Sequence, residues 1–218
     1  MRRVISLAVG LMAAGSAYAD VVFNNPFDAT ADNGNCAFSS TCASEIGKVD
    51  DFAAQLFTLD TGVTLTSGSF TELDGLDLGG PGDVNWAFYT DAGVVPGTLL
   101  FSGTAGISGS SSAGEDVNGL YIDTYTFDIP SVVLASGSYF FALQTISEFY
   151  TNDLAQGITD SGAAETNDGG ATWAAEYEFI GGVAVGLNGD LTTPEPATLG
   201  FVGVGFGVLG LMRRRKAR

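Results

Sequence analysis

Leu120-Tyr121-Ile122-Asp123-Thr124-Tyr125-Thr126-Phe127-Asp128-Ile129 carries the alternation that decides the fold class. With a side-chain period of two, Tyr121, Asp123, Tyr125 and Phe127 share one face of an extended strand. Working outward, Val84, Trp86 and Phe88 form a second such set, and Tyr139, Phe141 and Leu143 a third. Apolar sets of this kind fit a core better than a ligand-binding platform. Further strand runs are Ala53–Leu59, Ser67–Leu73, Thr98–Gly103 and Glu176–Val185. No long amphipathic helix interrupts the stretch from Asp20 to Thr193.

Turn chemistry separates the runs. Asn33-Gly34, Asn118-Gly119, Asn188-Gly189, Asp74-Gly75 and Asp168-Gly169 predict tight turns with positive φ. Pro96-Gly97, after Thr90-Asp91-Ala92-Gly93, predicts a longer hairpin loop. The Gly/Ser segment from Ser102 to Gly114 reads as a flexible loop. Many short strands with such turns predict an all-β body, a single jelly-roll-like β-sandwich. No fixed-period repeat points to a solenoid.

Charge is distributed unevenly. Of 25 acids only Glu195 lies outside residues 20–193, and of 8 bases only Lys48 lies inside, so the body carries 24 acids against one base. Nucleic acid is excluded as a partner, because phosphate binding needs clustered Lys and Arg. Cations and neutral polymers are compatible, and the acids also serve solubility. Histidine is absent, which excludes Ser-His-Asp and Cys-His catalysis and His-containing metal centres. No phosphate-cradling glycine motif with Lys occurs. A carboxylate pair, as in glycosidases, is the one broad hydrolytic chemistry left.

The ends read as export signals. Arg2 and Arg3, then the apolar run Val4–Ser16, then Ala17-Tyr18-Ala19, form a secretory signal cleaved to leave Asp20 as the mature N-terminus. Near the other end, Thr193-Pro194-Glu195-Pro196 precedes an uncharged, glycine-laced stretch. Pro196–Met212 has 17 residues, about 25 Å as a helix, slightly under a bilayer core. The basic cluster Arg213, Arg214, Arg215 and Lys216 follows and favours a cytoplasmic C-terminus. Residues 1–19 are thus expected to be a signal helix, 20–192 an extracytoplasmic β-sandwich domain, and 193–218 a tail with a transmembrane helix at 197–212.

A Pro-Glu-Pro signature, a membrane-length stretch and a basic end together resemble the PEP-CTERM sorting tail of exported bacterial surface proteins. The resemblance covers about a tenth of the chain. It implies that Pro194, Glu195 and Pro196 are recognised by an exosortase-like processing enzyme. It further implies passage through Sec-type export machinery, transient anchoring in the cytoplasmic membrane, and release to the cell surface or an exopolysaccharide matrix. More loosely, Val49-Asp50-Asp51-Phe52, Phe88-Tyr89-Thr90-Asp91 and Asp168-Gly169-Gly170 ahead of Trp173 are similar to bodies of that family. This second likeness implies an extracellular sandwich and no reaction.

Three local features remain. Cys36 and Cys42, an isolated close pair in an exported chain, predict a disulfide, with free thiols or half of a metal site as alternatives. Asp74, Asp77 and Asp83 flank Gly79-Gly80-Pro81-Gly82 and are the candidate ligands for calcium, the one candidate cofactor, against the favoured reading of a solvated turn. Trp173 sits in a polar, Gly-rich context and is the candidate glycan contact, although core packing is the better fit; Trp86 reads as buried. The leading functional expectation is a non-enzymatic structural protein of the surface or matrix. A carbohydrate-binding module with an extracellular polysaccharide as partner is second, and a carboxylate-dependent glycosidase third.

Overall fold

The computed structural model describes residues 20–28, 52–74, 80–115, 119–146, 152–155, 157–158, 162–166, 168–176 and 182–191. The opening alternation becomes β6 (Tyr121–Leu134), with Tyr125 and Phe127 buried on one face and Thr126 and Asp128 exposed on the other. Before it come β1 (Asp20–Asn25), β2 (Phe52–Leu59), β3 (Val63–Asp74), β4 (Asp83–Asp91) and β5 (Pro96–Glu115); after it come β7 (Gly137–Ile146), β8 (Asn152–Leu154), β9 (Ala163–Thr166), β10 (Ala174–Glu176) and β11 (Val185–Leu191). All named pairings are antiparallel. The all-β expectation holds, and no helix occurs among the described residues.

The pairing is nested. β4 pairs with β5, β3 with β6, β2 with β7, and β1 with β11. One layer runs β1-β11-β3-β6 and the other β5-β4-β7-β2, continued by β9 and β10, while β8 joins β3. This is the order of a jelly roll, a long ribbon of paired strands rolled over itself. The layers are joined as one curled sheet by β5, whose first half pairs with β4 and whose second half, from Ile107, pairs with β6.

Aromatic rings fill the space between the layers. Phe127 of β6 faces Phe141 of β7 at 6.5 Å, and Phe88 of β4 stacks on Phe141 at 4.9 Å. Phe23 of β1 meets Phe57 of β2 at 5.6 Å. β1 and β2 stand far apart in strand order, so this contact closes the roll. The predicted sets Val84, Trp86, Phe88 and Tyr139, Phe141, Leu143 face this core, and Trp86 is buried as expected. A buried amide pin supports the closure. Val183 N donates to Gln55 Oε1 at 2.7 Å, and Asn25 Nδ2 donates to Val183 O at 2.9 Å. Both amides are fully buried, so the pin satisfies groups that burial alone would penalise.

Three expectations are corrected. Ser102–Gly114 is strand and not a flexible loop: it gains ladder bonds from β4 on one side and β6 on the other, and partners override its weak intrinsic preference. Glu176–Val185 is not one strand, because β10 ends at Glu176 and β11 begins at Val185. Asn188-Gly189 lies inside β11, at a register shift against β3, and makes no turn. There a side chain on Gly189 would strike the Thr64 carbonyl, so the glycine serves close backbone approach. The hairpin loop before β5 is Ala92–Val95, closed by the Asp91–Pro96 pair, and Pro96-Gly97 opens the strand. Gly119 and Gly169 do take positive φ, as their turns require. Asn33-Gly34 and Gly75 lie outside the described residues, as do the expected signal helix and the transmembrane helix at 197–212. Among the described residues no helix is long and apolar enough to cross a membrane.

Candidate functional site

The outward face of the β5-β4-β7-β2 layer carries the site. Three rows of side chains cross it, set by the register. Thr104, Asn85 and Gln144 align in the first row. Ser102, Ala87, Ala142, Ala54 and Ala164 align in the second. Tyr89, Phe140 and Leu56 align in the third. Ala87, Ala142, Ala54 and Ala164 are buried, with Phe52, Leu56 and Trp173 packed against them, so the row forms a short trough only at its Ser102–Ala87 end, between an amide wall and an apolar wall. A cavity of about 290 Å³ opens there, lined by Phe52, Asn85, Ala87, Tyr89, Leu99, Ser102, Thr104 and Gly169 among others. That volume lies near the lower end for small-ligand sites.

The amide wall is ordered by hydrogen bonds. Thr104 Oγ1 donates to Asn85 Oδ1 at 2.6 Å, and Asn85 Nδ2 donates to Gln144 Oε1 at 2.8 Å. Gln144 is 4% exposed, and its Nε2 has no acceptor among the described residues. A buried amide donor without an acceptor is costly, and this one is enclosed behind the residues that line the cavity.

The opposite rim is built by the loop between β9 and β10. Trp173 is half-buried and meets Tyr89 edge-on, with ring centroids 5.3 Å apart and planes at 74°. Burial pushes the Tyr89 phenol up from its ordinary value. The Trp173 Nε1 is enclosed and likewise has no acceptor. Gly170 has φ of +89°, and a side chain there would come within 2.7 Å of the Tyr89 hydroxyl, so the loop lies flat on the ring only with glycine at this position.

Asp168 ties that loop. Thr166 Oγ1 donates to its Oδ1 at 2.6 Å, Thr172 N donates to Oδ1 at 2.8 Å, and Thr172 Oγ1 donates to Oδ2 at 2.6 Å. The Thr166 hydroxyl, then the Thr172 groups, hold the carboxyl at about 2. A depressed carboxylate contributes stability that is present above its unfolded value and lost as pH falls through the folded one. The Trp173 indole resonance is therefore expected to stay constant from neutral pH down to about pH 4 and to shift as pH falls towards 2. Asp168→Ala should give the acid-like resonance already at pH 7. An indole signal unaffected by that substitution refutes the role assigned to Asp168.

Trp173 thus packs, half-buried, against a second buried cluster of Ala54, Ala87, Tyr89, Phe140, Ala142 and Ala164 on this face, closer to the favoured core reading than to free exposure. Asp20 begins β1 and is exposed. Asp74 ends β3, and Asp83 begins β4 and is exposed. Asp77 lies outside the described residues, as do Ala17, Ala19, Cys36, Cys42, Pro194, Glu195, Pro196 and Arg213 to Lys216. Among the described residues no group of three acidic or Cys side chains is arranged to hold a metal ion. Sequence reading missed Tyr89, Asn85 and Gln144. Asn85 and Gln144 stand out only as polar side chains at otherwise apolar strand positions, and Tyr89 only as the residue out of phase with Trp86 and Phe88.

No curated protein matches the chain. At the C-terminus, where Pro-Glu-Pro, apolar stretch and basic cluster stand in order, residues 192–216 match the PEP-CTERM protein-sorting motif. The chain therefore carries the tail of an exported protein that is transiently anchored in the membrane and handed to an exosortase-type processing enzyme.

Proposed function

We propose that the jelly-roll body is a non-catalytic surface or exopolysaccharide-matrix protein that holds a neutral polysaccharide in the trough beside Tyr89 and Trp173. One observation carries this reading. In a chain with 25 acids, the described residues lining the cavity include no carboxylate. What they offer instead is aromatic surface beside an ordered row of amide and hydroxyl groups. Sugar rings present apolar C–H faces and rims of hydroxyl groups, which match aromatic surface beside the Asn85 amide and the Ser102 and Thr104 hydroxyls. Acidic polymers are disfavoured by the charge of the body. A glycosidase needs two carboxyl groups flanking the scissile bond, and the described residues of the lining offer none, which supports binding without turnover.

The test is a titration of exported, processed protein against neutral and acidic oligosaccharides. Binding to a neutral class is expected. Trp173→Ala, with folding verified, should weaken it by about 10-fold or more, a loss of about 1.4 kcal/mol. Affinity for acidic glycans only, or full binding by Trp173→Ala, refutes the trough as the site. Release of reducing ends from the bound polymer would instead establish the glycosidase reading.

A further inference from the structure

The first half of β5 pairs with β4 on one side only, because β6 joins β5 from Ile107 onwards. No described strand covers the other side of residues 97–106. Gly97 to Ser102 are all exposed, among them Leu99 at 48%, Leu100 at 38% and Phe101 at 40%. Exposed strand edges are normally blunted by charge, proline or bulges. The facing edge of β6 has such a guard in Pro130, which lacks a donor. Pro96 opens β5 and its register against β4 shifts around Leu100, but no charge guards this edge: between Asp91 and Glu115 the sequence contains no charged residue.

We propose that this edge pairs with the same edge of a second copy of the chain, antiparallel and about a two-fold axis. The occupant follows from charge. The chain has a formal net charge of −17, so most approaches between two copies are repulsive. The β5 edge is an uncharged line along which two copies can meet with no like charges directly opposed. An antiparallel strand edge is self-complementary, as an isologous contact requires. Pairing satisfies the open backbone groups and covers Leu99, Leu100 and Phe101. A two-fold axis normal to the joined sheet leaves both troughs on the same side of it. If the trough binds a polymer as proposed above, each dimer then engages it at two points and gains by avidity. The dimer itself does not depend on that reading.

Exported, processed protein should sediment as a dimer at about 100 µM and fixed ionic strength. Leu100→Lys and Thr98→Lys each place a charge on the edge, and each should raise the dimer dissociation constant by about 10-fold or more. Val133→Lys, an exposed change on the proline-guarded β6 edge, should leave it unchanged. Leu100 does not line the trough, so Leu100→Lys should retain affinity for a short oligosaccharide while losing avidity for the polymer. A monomeric wild type at that concentration overturns the proposal. So does a dimer that persists in both lysine variants, or one broken by Val133→Lys.

Discussion

Alanine at Pro194, Glu195 and Pro196 together leaves the exported chain unprocessed and held in the membrane, with nearly all of it still ending at Arg218. The motif lies within the matched tail. Only Thr192 and Thr193 separate it from β11, which ends at Leu191. The uncharged stretch that follows is long enough to halt in a bilayer, and Arg213 to Lys216 oppose its passage outward. The substituted chain should therefore still insert, and lose only the feature that the processing enzyme reads. Neutral residues in place of Arg213–Lys216 should act differently, by impairing retention for processing. Mass spectrometry of the C-terminal peptide from membrane and released fractions separates these outcomes. Wild-type material that still ends at Arg218 at the surface would show the tail to be a permanent single-pass anchor.

Phe127→Ala should cost about 3–5 kcal/mol of folding stability, the range for deleting a buried aromatic ring and leaving a cavity. Phe127 has no exposed surface. It contacts Phe70 within its own layer at 6.0 Å and Phe141 across the core at 6.5 Å. Both layers therefore lose contact with one substitution. Against a typical total of about 5–15 kcal/mol, the loss leaves a marginal domain, and few ion pairs are available to compensate because Lys48 is the one base in the body. Urea unfolding of the exported protein measures the change. Val133→Ala, at a position 62% exposed, is the control and should stay within about 0.5 kcal/mol. Equal effects of the two substitutions would mean that the Phe127 ring does not bridge the layers.

Strand faces were legible where alternation was strong. Trp86, Phe88, Phe127 and Phe141 all point into the core as their spacing predicts, since side-chain direction in a strand alternates whatever its partner is. The sorting tail was legible for a related reason: its signature, its apolar length and its charge are contiguous in the chain. Ser102–Gly114 was misread because Gly and Ser carry little strand preference of their own. The two neighbouring strands supply the hydrogen bonds that settle its conformation.

The trough was not legible for a different reason. Thr104, Asn85 and Gln144 come from β5, β4 and β7, and Tyr89 meets Trp173 from a distant loop. Each of these residues, taken alone, reads as ordinary strand or loop. Composition and local pattern settle that this chain is exported, acidic and built of strands, because those properties depend on neighbours in sequence. Which strands pair, where the roll closes and which side chains share a row depend on register between segments far apart. Asn25 reaching Val183 across 158 positions is one such pairing. Such pairings form only when burial of the aromatic core outweighs the entropy of bringing remote segments together.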